Sequence, residues 1–314
     1  MKARLMLGNY RMRRPALIAA TAVWLASCGA PPLDPDWQSK LNLAMNGDDP
    51  SAAFAIARQA AEAGAPVGLW AMGQFHEVGY GVEENDAAAL DWYRKAAERG
   101  EPESQWRLAM MLFEGVGAEP DEAEAKHWFR TAAETGDPRG QFMLGRMLHN
   151  AEGGPEDFAG ALRWYRLAAD QGHDLALVSL AFMYEEGQGV PENPVEALSL
   201  FRQASDRGNP VAHYILARAY EVGDGVPQDL NEAFRLYRLS AEQGDSFGQF
   251  SLGRMYEQGM GVSASKPQAY LWYLRAERNG EPNATRALAA LRESLTLEER
   301  TEAEILVAAN LPPH

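Results

Sequence analysis

The chain reads as an all-α solenoid built from a 36-residue helix–loop–helix unit. Three columns of residues predict it. Gly64, Gly100, Gly136, Gly172, Gly208, Gly244 and Gly280 recur at that interval without a slip. Ala89, Ala125, Ala161, Ala197, Ala233 and Ala269 keep the same period, as do Gly81, Gly117, Gly153, Gly189, Gly225 and Gly261. A helical pair this short cannot bury its apolar face alone, so consecutive copies must stack into one core.

The first residues are an address rather than part of that fold. Lys2, Arg4, Arg11, Arg13 and Arg14 are all the charges before residue 28, and Ala16 to Ser27 are small or apolar. A basic start and a short apolar run make a secretory signal, too short for a permanent span. Met1 and Met12 both suit as its first residue. The run ends Leu25-Ala26-Ser27-Cys28, which resembles the bacterial lipobox, and Cys28 is the only cysteine in the chain. That resemblance implies cleavage before Cys28 and lipidation of its thiol. Cys28 to Asp36, with Pro31, Pro32 and Pro35, is then an extended spacer between the lipid and the body.

Each column of the body has a local reason. Gly64 and its equivalents end a helical run and are followed by Pro66, Pro102, Pro138, Pro210 and Pro282, the pattern of a helix C-terminus leading into the next helix. At the helix-start position Asp137, Asn209 and Asp245 suit the cap, whereas Glu101 and His173 are poorer caps. A second cap column reads Asn85, Asp121, Asp157, Asn193, Asp229 and Ser265. Each repeat is therefore helix A (66–78 in the first), a Gly-x-Gly loop, and helix B (86–99). Ala151 is the one departure from the first glycine of that loop. Small residues at Gly73, Ala109, Gly145, Ala181, Ala217 and Gly253 let helix A approach the bulky helix B pairs, such as Trp92-Tyr93 and Trp164-Tyr165.

These residues resemble the Sel1-like repeat family, relatives of the tetratricopeptide repeats. The family pattern Ala/Gly-x-x-Tyr-x-x-Gly-x-Gly-Val stands at Ala181 to Val190, with Tyr184, Gly187 and Gly189, and again at Ala217 to Val226 and Gly253 to Val262. The first three copies carry His76, Leu112 and Leu148 in place of the tyrosine. The boundaries expected are a signal at 1–27, the lipidated spacer at 28–36 and a degenerate half-repeat at 37–64 with helix B from Ala53 to Gly64. Six repeats follow, at 65–100, 101–136, 137–172, 173–208, 209–244 and 245–280, with capping helices and tail at 281–314. The resemblance implies a right-handed solenoid.

Composition narrows the function. The formal charge is −15, from 29 basic and 44 acidic residues, which argues against nucleic acid as a partner. No two of the six histidines sit three or four residues apart, so no helix face presents a paired metal-ligand set. His76 falls in an aromatic core column. Ser263-Ala264-Ser265-Lys266 matches a Ser-x-x-Lys pattern, but no Ser-Asp-Asn or Lys-Thr-Gly accompanies it and Ser265 lies in the cap column. No catalytic residue, cofactor or metal is expected. Arg94, Arg130, Arg166, Arg202 and Arg238, with acids four residues on, are read as ion pairs on a solvated face in preference to a docking strip.

The resemblance implies protein-partner binding by a scaffold, with helix A lining a concave groove that takes an extended segment. The irregular helix A column Gln74, Met110, Arg146, Phe182, Arg218 and Arg254 is the candidate contact set. Met111, Met147, Met183 and Met255 beside it are read as core. The chain is expected to be a monomer, held by the lipid on Cys28 at the outer membrane of a Gram-negative envelope and facing the periplasm. The alternatives are a factor displayed at the cell surface to meet a host molecule and, behind it, a cell-wall or β-lactam-related enzyme.

Overall fold

The computed structural model describes residues 36–310, which form sixteen α-helices and no strand. The signal, Cys28 and all of the spacer but Asp36 lie outside the described residues. Among the described residues no helix is long and apolar enough to cross a membrane.

The helices divide into two compact units, one ending at Gln171 and one beginning at Gly172. The first holds α1 (Trp37–Asn46), α2 (Pro50–Glu62), α3 (Pro66–Val78), α4 (Asp86–Ala97), α5 (Pro102–Glu114), α6 (Glu122–Glu134), α7 (Pro138–His149) and α8 (Phe158–Asp170). The second holds α9 (Asp174–Glu186), α10 (Pro194–Asp206), α11 (Pro210–Val222), α12 (Leu230–Glu242), α13 (Ser246–Gln258), α14 (Lys266–Arg278), α15 (Pro282–Ser294) and α16 (Leu297–Asn310). Within each unit every helix packs on its neighbours in sequence, A on B and B on the next A, while α16 folds back onto α14. This is the stacking expected of an α-solenoid of repeats of about 36 residues.

The element bounds follow the caps. Asn85, Asp121, Asp157, Asn193, Asp229 and Ser265 each accept a backbone N–H from the first turn of helix B. Helix B of the first repeat ends at Ala97, two residues before the expected limit. Glu101 caps better than its type suggests, because its longer carboxylate reaches back to the N–H groups of Glu103 and Ser104. His173 makes no side-chain cap bond. The N-terminal segment is a helical hairpin: α1 precedes a tight turn with Asp48 at φ 52°, and α2 starts at Pro50, ahead of the expected Ala53, capped by Asp49.

The loop glycines carry the spacing between repeats. Gly79, Gly115, Gly187, Gly223 and Gly259 end helix A in the left-handed region. Ala151 takes the same conformation, at φ 59°, despite its Cβ. The second glycine lies on the preceding repeat's helix B. A Cβ at Gly117 would collide with the Asp86 carbonyl, and one at Gly261 with the Leu230 carbonyl. Inside each repeat, Gly73, Gly145 and Gly253 face the rings of Tyr93, Tyr165 and Tyr273, where a Cβ would lie 2.6–2.8 Å from the ring. Ala109 and Ala181 pair instead with Phe129 and Phe201 at the equivalent positions.

Candidate functional site

Two ties join successive repeats, and both use polar groups among apolar packing. In the first, a buried glutamine of helix A donates to a carbonyl at the end of the previous helix B: Gln105 to Ala97, Gln141 to Ala133 and Gln249 to Ala241, at 3.1–3.4 Å. The glutamine oxygen then accepts from the end of its own repeat's helix B, from Gln171 at 2.8 Å for Gln141 and from Asn279 at 2.9 Å for Gln249. His213 fills this column in α11, hydrogen-bonded to the Ser205 backbone and 3.4 Å from Gln243. Burial lowers its pKa, and Arg235 adds to the effect.

The second tie runs through carboxylates. Tyr93 donates to Glu77, Tyr237 to Glu221 and Tyr273 to Glu257, each at 2.7 Å. Arg107 pairs with Glu77, and Arg254 reaches Glu221 at 2.7 Å. Burial first, then the hydrogen bond to a carboxylate, pushes the Tyr237 and Tyr273 phenols up. Burial opposes the charge of Arg254, but its bonding to Glu221 outweighs that and raises its pKa.

The candidate column on helix A is divided by these contacts. Met110 and Phe182 are buried, Phe182 edge-on to Phe201 at 5.1 Å. Gln74 is half-buried and lines a cleft between α1 and α3 with Trp37 and Trp70, its Oε1 enclosed without a hydrogen-bond partner. Arg146 lies over Phe113 at 4.6 Å and 3.6 Å from Glu152. Arg254 belongs to the Glu221 tie. Arg218 alone of the six is exposed, its guanidinium 6.0 Å from the Tyr214 ring centre. Met111, Met147, Met183 and Met255 are core.

The remaining candidates have local partners. Arg94 pairs with Glu124 of the next repeat, and Arg238 with Glu242 of its own helix at 3.7 Å. His76 stands edge-on to Phe54 at 5.9 Å, and burial lowers its pKa. Ser265 caps α14, and Lys266 donates to the Ser294 carbonyl at 2.9 Å. Among the described residues no cluster of His, Cys, Asp and Glu has the makings of a metal site.

Sequence reasoning missed both ties, although one left a signal. Tyr93, Tyr237 and Tyr273 each have a glutamate sixteen residues earlier and Phe129 has Phe113 there, although Tyr165 has His149 and Phe201 has Glu185. The phenol needs an acceptor and the phenyl ring does not. Nothing comparable marks Gln105 or Gln249, because a glutamine on helix A is as much at home on a solvated face.

Comparisons with known proteins follow this geometry. The Sel1 repeat model matches residues 41–64, 66–101, 102–137, 138–173, 174–209, 210–245 and 246–281. The first match takes in part of the hairpin read as a half-repeat. A crystal structure of a Sel1 repeat protein from Oxalobacter formigenes aligns with a TM-score of 0.71 and 26% identity, covering 77% of this chain and 97% of that one. The protective antigen c5321, present in uropathogenic Escherichia coli strains and displaying an SLR fold, aligns at 0.58 and 29% identity, covering 86% of this chain and 67% of that one. A search of curated proteins returned no significant match. Packing columns, loop glycines and matched repeats agree: the chain belongs to the Sel1 repeat family.

Proposed function

We propose that this protein is a lipid-anchored scaffold of the cell envelope that holds partner proteins on the helix A faces of its repeats. Sel1 repeat proteins generally mediate protein–protein interactions, which supports the reading at its coarsest level. The observation that carries it is a contrast between columns. Positions that pack one helix on another repeat almost unchanged, whereas the helix A column Gln74, Met110, Arg146, Phe182, Arg218, Arg254 changes chemistry at every step but the last. Met110, Phe182 and Arg254 are taken up in packing or in the Glu221 tie, which leaves Arg218 exposed beside Tyr214 to meet a partner.

The anchor is the lipid on Cys28, and the Pro-rich spacer holds a monomeric body off an outer membrane, on its periplasmic side. The body is strongly acidic and is repelled by anionic headgroups, so the acyl chains supply the attachment. No turnover is proposed: the features that suggested an enzyme are accounted for by a helix cap and a backbone contact.

Cross-linking in living cells, followed by purification of the lipidated protein and mass spectrometry, tests the scaffold. A partner recovered at near-equal abundance is the expected outcome, and a clean preparation without one sinks the reading. Changing Cys28 to Ser should release the protein from the membrane fraction. A second reading, display to a host molecule, draws on the likeness to the protective antigen. Protease treatment of intact cells separates the two, since only a displayed protein is shaved.

A further inference from the structure

The helix A face is closed at α5 and α7 and open at α11 and α13. In the first unit its charged residues neutralise one another: Arg139 pairs with Glu103 and Asp137, each at 2.8 Å, and Arg107 with Glu77. Trp106 and Met110 of α5 and Phe142 of α7 are covered, at 6%, 4% and 5% exposure. The equivalent positions of α11 and α13 differ. Val211, Tyr214 and Ile215 are half-buried, Arg218 is exposed, and Val222 and Phe247 are 69% and 36% exposed. Val211, Tyr214, Ile215, Arg218 and Val222 stand at i, i+3, i+4, i+7 and i+11, one stripe along α11.

Tyr214 joins the cation to the apolar surface. The Arg218 guanidinium lies 6.0 Å from its ring centre, and the Phe247 ring lies 5.7 Å away. Arg218 and Phe247 are therefore within about 12 Å of each other through one ring. An extended chain advances roughly 3.3 Å per residue, so two side chains of one segment up to three or four positions apart span that distance.

Resting on the scaffold reading above, we infer that this face of α11 and α13 is a docking surface for an extended protein segment carrying an aspartate or glutamate within four residues of an aromatic or branched aliphatic side chain. Arg218 takes the carboxylate in its planar fork. Phe247 and Tyr214 take the apolar side chain, with Ile215 and Val222 flanking. Charge complementarity selects the acid: Arg218 is an exposed cation hydrogen-bonded to the neutral Tyr214 phenol, so an acidic segment gains an ion pair at this point and a basic one does not. α5 and α7 offer no equivalent, because Arg107, Arg139 and Arg146 already pair with carboxylates.

The test displays random linear 12-residue peptides to the full-length protein and measures the enriched ones by fluorescence anisotropy. Enriched peptides are expected to carry an acid within four positions of an aromatic or branched aliphatic residue. Arg218→Glu should weaken them about tenfold or more, with melting unchanged because the side chain is exposed. Phe247→Ser should weaken them with the acid in the peptide still required, and Arg139→Ala in the first unit should leave binding intact. Peptides without acids, peptides indifferent to Arg218→Glu, or no enrichment at all would overturn the inference. Live-cell cross-linking separates this result from the wider reading. A partner held equally by wild type and Arg218→Glu leaves the scaffold standing and removes this surface. Peptide binding with no cellular partner does the reverse.

Discussion

Tyr237 donates its phenolic hydrogen to Glu221 at 2.7 Å, and the same carboxylate holds Arg254 of the next helix A at 2.7 Å. One acid thus joins helices A and B of its own repeat and ties both to the repeat that follows. Arg254 was read from sequence as a partner contact, and its side chain is spent on this bond, with 32% of it left exposed.

The tie should be measurable as stability. Tyr237→Phe removes one hydrogen bond and is expected to cost about 1 kcal/mol. Glu221→Ala strands the phenol and the arginine together, and should cost roughly 2–3 kcal/mol. A double-mutant cycle between Glu221 and Arg254, read by chemical denaturation, should give a coupling well above zero. Strict additivity would show that the two act independently.

Ala151 occupies a left-handed position that every other repeat gives to glycine. The Cβ costs roughly 1–2 kcal/mol there, and glycine's greater unfolded-state freedom returns part of it. Ala151→Gly should therefore stabilise the first unit by about 0.5–1 kcal/mol, seen as a higher melting temperature. An unchanged or lower value would mean that the surrounding loop has relaxed around alanine.

The buried Oε1 of Gln105 has no hydrogen-bond partner. In later repeats the corresponding oxygen accepts from Gln171 or Asn279, but Thr135 stands at that position and its hydroxyl bonds the Ala132 carbonyl instead. Thr135→Gln should complete the chain and stabilise by about 1 kcal/mol. Hydrogen exchange at the start of α5 should slow in the variant, which a mere change in helix propensity at Thr135 does not predict.

His213 sets a pH dependence. Its folded pKa lies below the unfolded value because burial disfavours the imidazolium, so the fold gains from a neutral ring. That contribution is present above the ordinary histidine pKa of about 6.5 and is lost as pH falls through it toward the lower folded value. His76, also lowered by burial, acts in the same direction. Thermal stability should drop between pH 7.5 and pH 5, and His213→Gln, the residue at the equivalent place in three other repeats, should flatten that drop. An equally steep profile in the variant would assign the dependence to other groups.

The caps and the loop positions of the six repeats are legible in the sequence because each depends on residues close together in the chain. Glycine at a helix end, aspartate at a helix start and proline after a turn act within four residues of themselves. A strict 36-residue period then makes one repeat evidence for the next. The N-terminal hairpin is less legible, because its turn at Asp48 lacks the Gly-x-Gly that most later repeats carry.

What a surface position does was decided only by the tertiary structure. Gln74, Met110, Arg146, Phe182, Arg218 and Arg254 share one register position, yet two are buried, one is bound to Glu221 and one is exposed beside Tyr214. Glu221 stands 33 residues from Arg254, on the preceding repeat, whereas Tyr214 stands one helical turn from Arg218. Register places a side chain on a helix face, but the groups facing it across the interface decide whether its charge is already neutralised or open to solvent.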